Sequence, residues 1–334
     1  METQSLPQPK TLMEAVRYFA DAERTHSLAV SLRWPEGVHC PTCGRTDVRY
    51  FVATSKNRKT GKETPRRLFE CKEKHPRRQF TVKTGSIFED SALTLDVWFV
   101  AIWSVANCKN GISSYELARA TGITQKSAWH VLHRIRIAMD AGGLGKFDRT
   151  TEADETYVGG LAKNMHEWKR EQRVSGSAAN DKTPVMGLLE RGDGTIPSRV
   201  RARVIKDANA KILQAAVRDN VNPGSLLVTD ALLSYRGLDR DYVHQFVNHT
   251  NEYVRGIVHT NGIENFWSLL KRTVRGTYVS VDPHHLQAYV GEQVFRFNER
   301  EGTDLTRFRS VLGSVGGKRL TWKDLTNHAL SAAA

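Results

Sequence analysis

The run SLLVTD, residues 225–230, is a short apolar stretch that ends on a carboxylate. It reads as a buried strand, and a charge at the end of such a strand lies at the edge of a sheet, where the sites of α/β folds collect. The texture around it is one of alternating short strands and helices. Upstream, TEADETYVGG (151–160) has the pattern of a strand ending in a glycine turn, PVMGLLER (184–191) of a second strand and SRVRARVI (198–205) of a third, while DANAKILQAAVRDNV (207–221) is helical. Downstream, QFVNH (245–249) is a short strand, and HTNGIENFWSLLKRTVRG (259–276) places Ile263, Phe266, Trp267, Leu269 and Leu270 at helical spacing.

Within this α/β half, three acids stand where one site could collect them. In the first strand Glu152, Asp154 and Thr156 share one face and Glu155 points to the other. Asp230 ends the buried strand, and 34 residues later Glu264 lies near the start of the amphipathic helix. Taken singly, Asp230 caps a following helix and Glu264 complements a helix dipole. Taken together, the three match the spacing of an RNase H-like site, in which several carboxylates hold two Mg²⁺ (or Mn²⁺) ions for phosphodiester chemistry. Lys271, two turns beyond Glu264 on the same helix face, is placed to meet a phosphate. Phe266 and Trp267 are expected as core anchors, and His249 and His259 as satisfied loop residues or as groups that orient a phosphate.

The first half carries different chemistry. Cys40 and Cys43 in CPTCG are followed by Cys71 and His75, which is the layout of a closed structural Zn²⁺ site, with Gly44 permitting the turn. Between Arg45 and Lys83 there are thirteen Lys or Arg against four acids, nine of the net charge of +13, which points to a polyanion such as nucleic acid. Within this basic run Arg77 and Arg78, just past His75 and Pro76, are expected to contact the DNA. Cys108, in an apolar helical stretch, is expected to be a buried thiol. GISSYELARATGITQKSAWHVLHRIRIAM (111–139) has the profile of a helix-turn-helix. Ser113 or Ser114 would cap its first helix, Gly122 would make the turn and Thr124 would cap the second. That second helix would present Gln125, Lys126, Ser127, His130 and Arg134 to the major groove of double-stranded DNA.

The chain thus parses as a multidomain α+β protein. A helical segment (1–35) precedes a zinc ribbon (36–90), a helix-turn-helix (91–140), a glycine-bearing linker (141–150), an RNase H-like catalytic domain (151–310) and a tail (311–334). The polar stretch 162–182, with Met165 and Trp168, is expected as a long loop. No apolar run has the length of a membrane span, and the N-terminal residues lack the charged and apolar regions of a signal peptide, so a cytoplasmic, nucleoid-associated protein with no membrane partner is expected.

DETYVGG, LLVTDALLSYRGL and the long block from VHTNGIENFW to FRFNER resemble the transposases of bacterial insertion sequences in the 1595 family, and CPTCG through GSIFEDSALTLDVWF resembles that family's zinc-ribbon element. The resemblance spans roughly residues 15 to 310. It implies a DDE-type transposase that nicks transposon ends and joins the 3′-hydroxyl to target DNA, with Asp154, Asp230 and Glu264 as catalytic acids and Lys271 as the trailing basic residue. Some family members carry Asn at the third position, so Asn265 or Asn261 is the alternative ligand to Glu264; His75 stands where the family usually has a cysteine. Synapsis of two ends implies a dimer or larger assembly. The competing functions are a metal nuclease that cuts without joining and a zinc-containing DNA-binding regulator with an inactive catalytic domain.

Overall fold

The computed structural model describes residues 8–56, 61, 63–140, 145–159, 182–230, 233–247 and 258–326. His249, Met165 and Trp168, with nearly all of the polar stretch 162–182 and the first four residues of the expected linker, lie outside the described residues. The chain divides into two compact units: residues 1–108, 114–139 and 302–334 form one, and residues 109–113 and 140–301 the other.

The first unit starts with α1 (Leu12–Phe19) and α2 (Ala22–Arg33), capped by the side chains of Thr11 and Asp21. A three-stranded antiparallel sheet follows, built from β1 (Val48–Lys56), β2 (Glu63–Cys71) and β3 (Gln79–Phe80) in that spatial order. Few of its residues are buried, and its core is aromatic: Phe69 packs on Trp34 and Phe80 at ring-centroid distances of 5.6 and 5.5 Å. The most apolar helix, α3 (Leu95–Asn107), is buried on nearly all sides, because α1 and the later helices Gln125–Met139 and Asp304–Gly313 all pack against it. Cys108, expected to be buried, caps α3 and is half-buried instead, since the helix emerges from the core one residue earlier.

Two further helices, α4 (Ser114–Thr121) and α5 (Gln125–Met139), are joined through Gly122, whose φ of 71° is the left-handed conformation glycine adopts without strain. The Thr124 hydroxyl accepts from the Ser127 N–H at 3.2 Å, capping α5 as its sequence implies. The chain's last described elements, α9 (Asp304–Gly313) and α10 (Trp322–Thr326), return to this unit, where Phe308 joins Phe19, Phe99 and Trp103 in one aromatic cluster.

The second unit is a five-stranded mixed sheet in the order β6-β5-β4-β7-β8. Its strands are β4 (Thr151–Val158), β5 (Thr183–Glu190), β6 (Arg199–Val204), β7 (Leu226–Asp230) and β8 (Val243–Val247). The β4, β5 and β6 strands pair antiparallel, whereas β7 runs parallel to both β4 and β8. One face is covered by α6 (Ala210–Asn220) with Phe147, Ala153, Met186, Leu213 and Leu227. The other is covered by α7 (Asn261–Gly276) and α8 (Leu286–Asn298) with Val185, Leu189, Phe266, Trp267 and Phe297. Strand period 2 therefore assigns every sheet residue to one face or the other.

Among the described residues, no helix is long and apolar enough to cross a membrane.

Candidate functional site

Two of the three acids are set side by side by the sheet's register. Ala153 pairs with Thr229 across the parallel β4–β7 ladder, and Ala153 lies on the α6 face. The next residues along, Asp154 and Asp230, therefore lie abreast on the α7 face, at the C-terminal end of β7. Opposite Asp154 on β5 is Gly187, and it has to be glycine: a Cβ there would come within 2.5 Å of the Trp267 ring. The space lets the Trp267 indole lie on the sheet and donate to Asp154 Oδ2 at 2.9 Å. Trp267 was expected only as a core anchor; it is one, at 4% exposure, and it also holds the first acid.

Burial pushes the Asp154 carboxyl up to about 6 against the indole hydrogen bond, and the charges of Asp230 and Glu264 add to the rise. Glu155, on the α6 face, is pushed up to about 7 by burial, against the hydrogen bond donated by the Tyr235 hydroxyl at 2.8 Å, with Asp230 and Asp154 adding. Glu264 is exposed in the first turn of α7 and accepts from the Thr260 hydroxyl at 2.7 Å. Asn265, its neighbour, is exposed as well. Burial lowers the pKa of half-buried Lys271, further on along α7, Arg275 adds to the fall, and Asp154 opposes it. The acids thus act on one another electrostatically but are not in ligand contact: among the described residues, the one group of acids, histidines or cysteines whose ligand atoms all lie within 4.8 Å of one another is Cys40, Cys43, Cys71 and His75.

That quartet is drawn together by the first unit's sheet. Cys71 ends β2, the Cys40 carbonyl accepts from the Gly44 N–H at 2.8 Å, and Gly44 has a φ of 75°. Cys43 Sγ is 3.6 Å from Cys71 Sγ, and His75 Nε2 is 3.4 Å from Cys40 Sγ. A tetrahedral Zn²⁺ with bonds of about 2.3 Å to sulfur has edges of roughly 3.7 Å, so the donor set and its spacing fit that ion. Burial raises the Cys40 thiol, but the N–H groups of Cys43 and Thr42 outweigh it and hold the pKa below its usual value, favouring the thiolate a metal needs. His75 at three-residue spacing completes the set.

Around the quartet, Arg77 and Arg78 are exposed, and Arg78 pairs with Glu70 at 2.8 Å. On α5 the expected DNA-facing residues separate. Lys126 is exposed, its ammonium 4.6 Å above the Trp322 ring; Gln125 donates to Ser114 Oγ at 2.9 Å, and Ser127 accepts from Thr124. His130 lies 3.3 Å from the Leu320 carbonyl. Arg134 is 6% exposed and donates to the carbonyls of Leu320 and Ile87 at 2.9 and 3.0 Å. Those two residues hold the returning C-terminal segment, a role that needed knowledge of where residue 320 goes.

Residues 146–298 match the model of the ISXO2-like transposase domain, and residues 21–74 match that of the transposase zinc-ribbon domain. A transposase-like protein of Haemophilus influenzae is 30% identical over 104 residues, covering 31% of this chain and 84% of its own. The chain belongs to the insertion-sequence transposases of the 1595 family. A protein of the transposable element ISH50 of Halobacterium salinarum is 29% identical over 273 residues, covering 78% of this chain and 85% of its own. In this transposase the first match spans Asp154, Asp230, Glu264 and Lys271, and the second spans the three cysteines and ends one residue before His75. The family implies DNA as partner and a divalent metal at the DDE domain.

Proposed function

We propose that this chain is an active DNA transposase, which binds the ends of its insertion sequence and cuts and joins DNA strands at Asp154, Asp230 and Glu264. The observation that carries the reading is the register that sets Asp154 and Asp230 abreast on one face, with α7 across that face bringing Glu264 in its first turn. The strand order and the mix of parallel and antiparallel pairs support the reading of this unit as RNase H-like. The donor set is all carboxylate, as hard divalent cations prefer; burial holds the Asp154 carboxyl up, and the charges of Asp230 and Glu264, which add to that rise, would be screened by a cation between the acids. Asp154, Asp230 and Glu264 would hold Mg²⁺ or Mn²⁺; when bound, such ions activate the attacking oxygen and stabilise the leaving one in phosphodiester chemistry. Glu264 is preferred to Asn265 as third ligand because an anion binds these ions more strongly than an amide, and because the Thr260 hydroxyl already orients its carboxylate. Lys271 would neutralise a phosphate of the bound strand.

The first unit would bind the terminal repeats. A structural Zn²⁺ on Cys40, Cys43, Cys71 and His75 would stabilise the sheet that carries Arg77 and Arg78, and α4–α5 would serve as a helix-turn-helix with Gln125, Lys126 and Ser127 nearest the bases. Arg134 and His130 are left out of that contact by their bonds to the C-terminal segment. Assembly of a dimer or larger species on two ends follows from the need to bring both together.

The test is strand transfer of a labelled duplex bearing the element's own terminal repeat into plasmid DNA, with Mg²⁺ or Mn²⁺, by wild type and by Asp230→Ala. Joined product from wild type alone is expected. Cleavage without joining would replace the transposase by a nuclease, and end binding without either would replace it by a regulator.

A further inference from the structure

The first turn of α7 is held in an unusual way. A helix start leaves backbone N–H groups without intrahelical partners, and the N-cap side chain ordinarily accepts from one of them. The N-cap of α7, Thr260, makes no such bond. Its hydroxyl donates instead to Glu264 Oε1. The capping acceptor comes from another element: Glu152 Oε2, on β4, accepts from the Ile263 N–H at 2.8 Å, across 111 residues of sequence. Glu152 is 1% exposed, and its other oxygen, Oε1, accepts from Arg191 Nε at 2.7 Å and lies 3.7 Å from His259 Nδ1. Arg191 in turn donates to the His259 carbonyl, just before the helix begins. Gly262 allows the approach, since a Cβ there would meet Glu152 Oε2 at 2.9 Å and Leu189 Cδ2 at 3.0 Å.

We infer that Glu152, locked by Arg191, is a positioning residue: it docks the start of α7 onto the strand that bears Asp154, and so sets where Glu264 stands relative to the first acid. This rests on the assignment of Asp154, Asp230 and Glu264 as metal ligands. Glu152 and Asp154 lie two residues apart on one strand face, so an acceptor fixed to the helix start by one and a ligand supplied by the other share a rigid base. The Thr260 hydroxyl donates its proton to Glu264, so that carboxylate is oriented from the same helix start that Glu152 caps. Glu152 touches no reacting atom; it acts through α7.

The experiment measures Mn²⁺ binding to the zinc-loaded full chain by electron paramagnetic resonance titration, alongside thermal melting. Five variants are compared with wild type: Asp154→Ala, Glu152→Gln, Arg191→Lys, Gly262→Ala and Glu190→Gln. Glu190 is a control, an equally buried acid of the same sheet that pairs with Arg149 and Arg199 away from the acids. Loss of an outer partner weakens metal binding by roughly 10–100-fold, so Glu152→Gln and Gly262→Ala should each weaken Mn²⁺ by at least about tenfold, while Glu190→Gln lowers the melting temperature and leaves Mn²⁺ affinity at the wild-type value. If Glu152→Gln does not fold, Gly262→Ala and Arg191→Lys decide in its place. Wild-type Mn²⁺ affinity in Gly262→Ala and Glu152→Gln, with binding lost in Asp154→Ala, overturns the positioning role and keeps the metal site. Undiminished binding in Asp154→Ala overturns the metal site itself, and the positioning role with it. Equal weakening in Glu190→Gln overturns the role as one of general stability.

Discussion

The cysteine quartet and the acidic face each gather side chains of the types that can hold a metal, but they gather them differently. Cys40, Cys43, Cys71 and His75 come from one short stretch of chain, and their ligand atoms close to within 4.8 Å. Asp154, Asp230 and Glu264 come from two strands and a helix, and protein groups hold two of them individually: the Trp267 indole holds Asp154 and the Thr260 hydroxyl holds Glu264. The ligands' own charge accounts for this. Thiols are neutral until they deprotonate and can crowd without a metal, whereas two carboxylates 4 Å apart repel by about 4 kcal/mol at an effective dielectric of about 20. A zinc-type site can therefore be nearly closed by folding alone, while an acidic site keeps its members on separate braces until a cation screens them.

The largest expected effect breaks the first side of that comparison. Cys40→Ser should drop bound zinc from about one ion per chain to none, and expose residues 36–90 to limited proteolysis while residues 146–298 stay resistant; retained zinc would show that three ligands suffice. Next, Glu264→Gln should cut strand transfer by more than the roughly 100-fold upper range for outer-shell partners, with Asn265→Ala close to wild type; the reverse order would move the third ligand to the amide.

A smaller effect sharpens what burial, and the neighbouring charges that add to it, do to the acidic face. Burial raises the folded pKa of Asp154 to about 6 from the ordinary 3.8, so the stability it contributes is fully present below about pH 4 and is lost as pH rises through about 6. Asp154→Asn, which keeps an acceptor for Trp267, should therefore melt higher than wild type at pH 8 without divalent metal, by on the order of 2 kcal/mol, and match it near pH 4. Comparing the two proteins cancels groups of opposite sign, such as Glu190: burial raises that carboxyl, but Arg149 and Arg199 hold it down at about 2, and its stabilisation is lost as pH falls toward that value. A gap between wild type and variant that did not change with pH would sink the account. The smallest effect is on the ribbon's surface: Arg77→Ala should leave the melting curve in place and reduce the salt dependence of duplex binding by about one unit of slope.

Much of this was legible in the sequence. The strands at 151–158, 183–190 and 226–230 follow from alternation and apolar runs, and the helix at 261–276 from its apolar spacing. The quartet was readable because its spacing is local. Other roles were hidden because each depends on a partner far along the chain. Glu152 was placed on the face of Asp154 by period 2, yet nothing in the sequence said that the helix start 111 residues later would come to rest on it. Arg134 had the look of a groove-facing residue, and only the return of the segment around Leu320 shows it spent on carbonyls. Trp267 read as core, because an indole N–H bonded to a carboxylate leaves no mark in apolar periodicity.

The sequence by itself determined which residues carry charge, thiol and apolar surface, and at which periods, because strand and helix geometry convert spacing into faces within one element. Tertiary structure decided which faces meet. It set Asp154 beside Asp230 through a parallel register, capped α7 with an acid from another strand, and buried an arginine under the returning C-terminal segment. Those outcomes depend on pairing between distant elements, and pairing is chosen by the summed burial and hydrogen bonding of the whole unit, which no single stretch of chain contains.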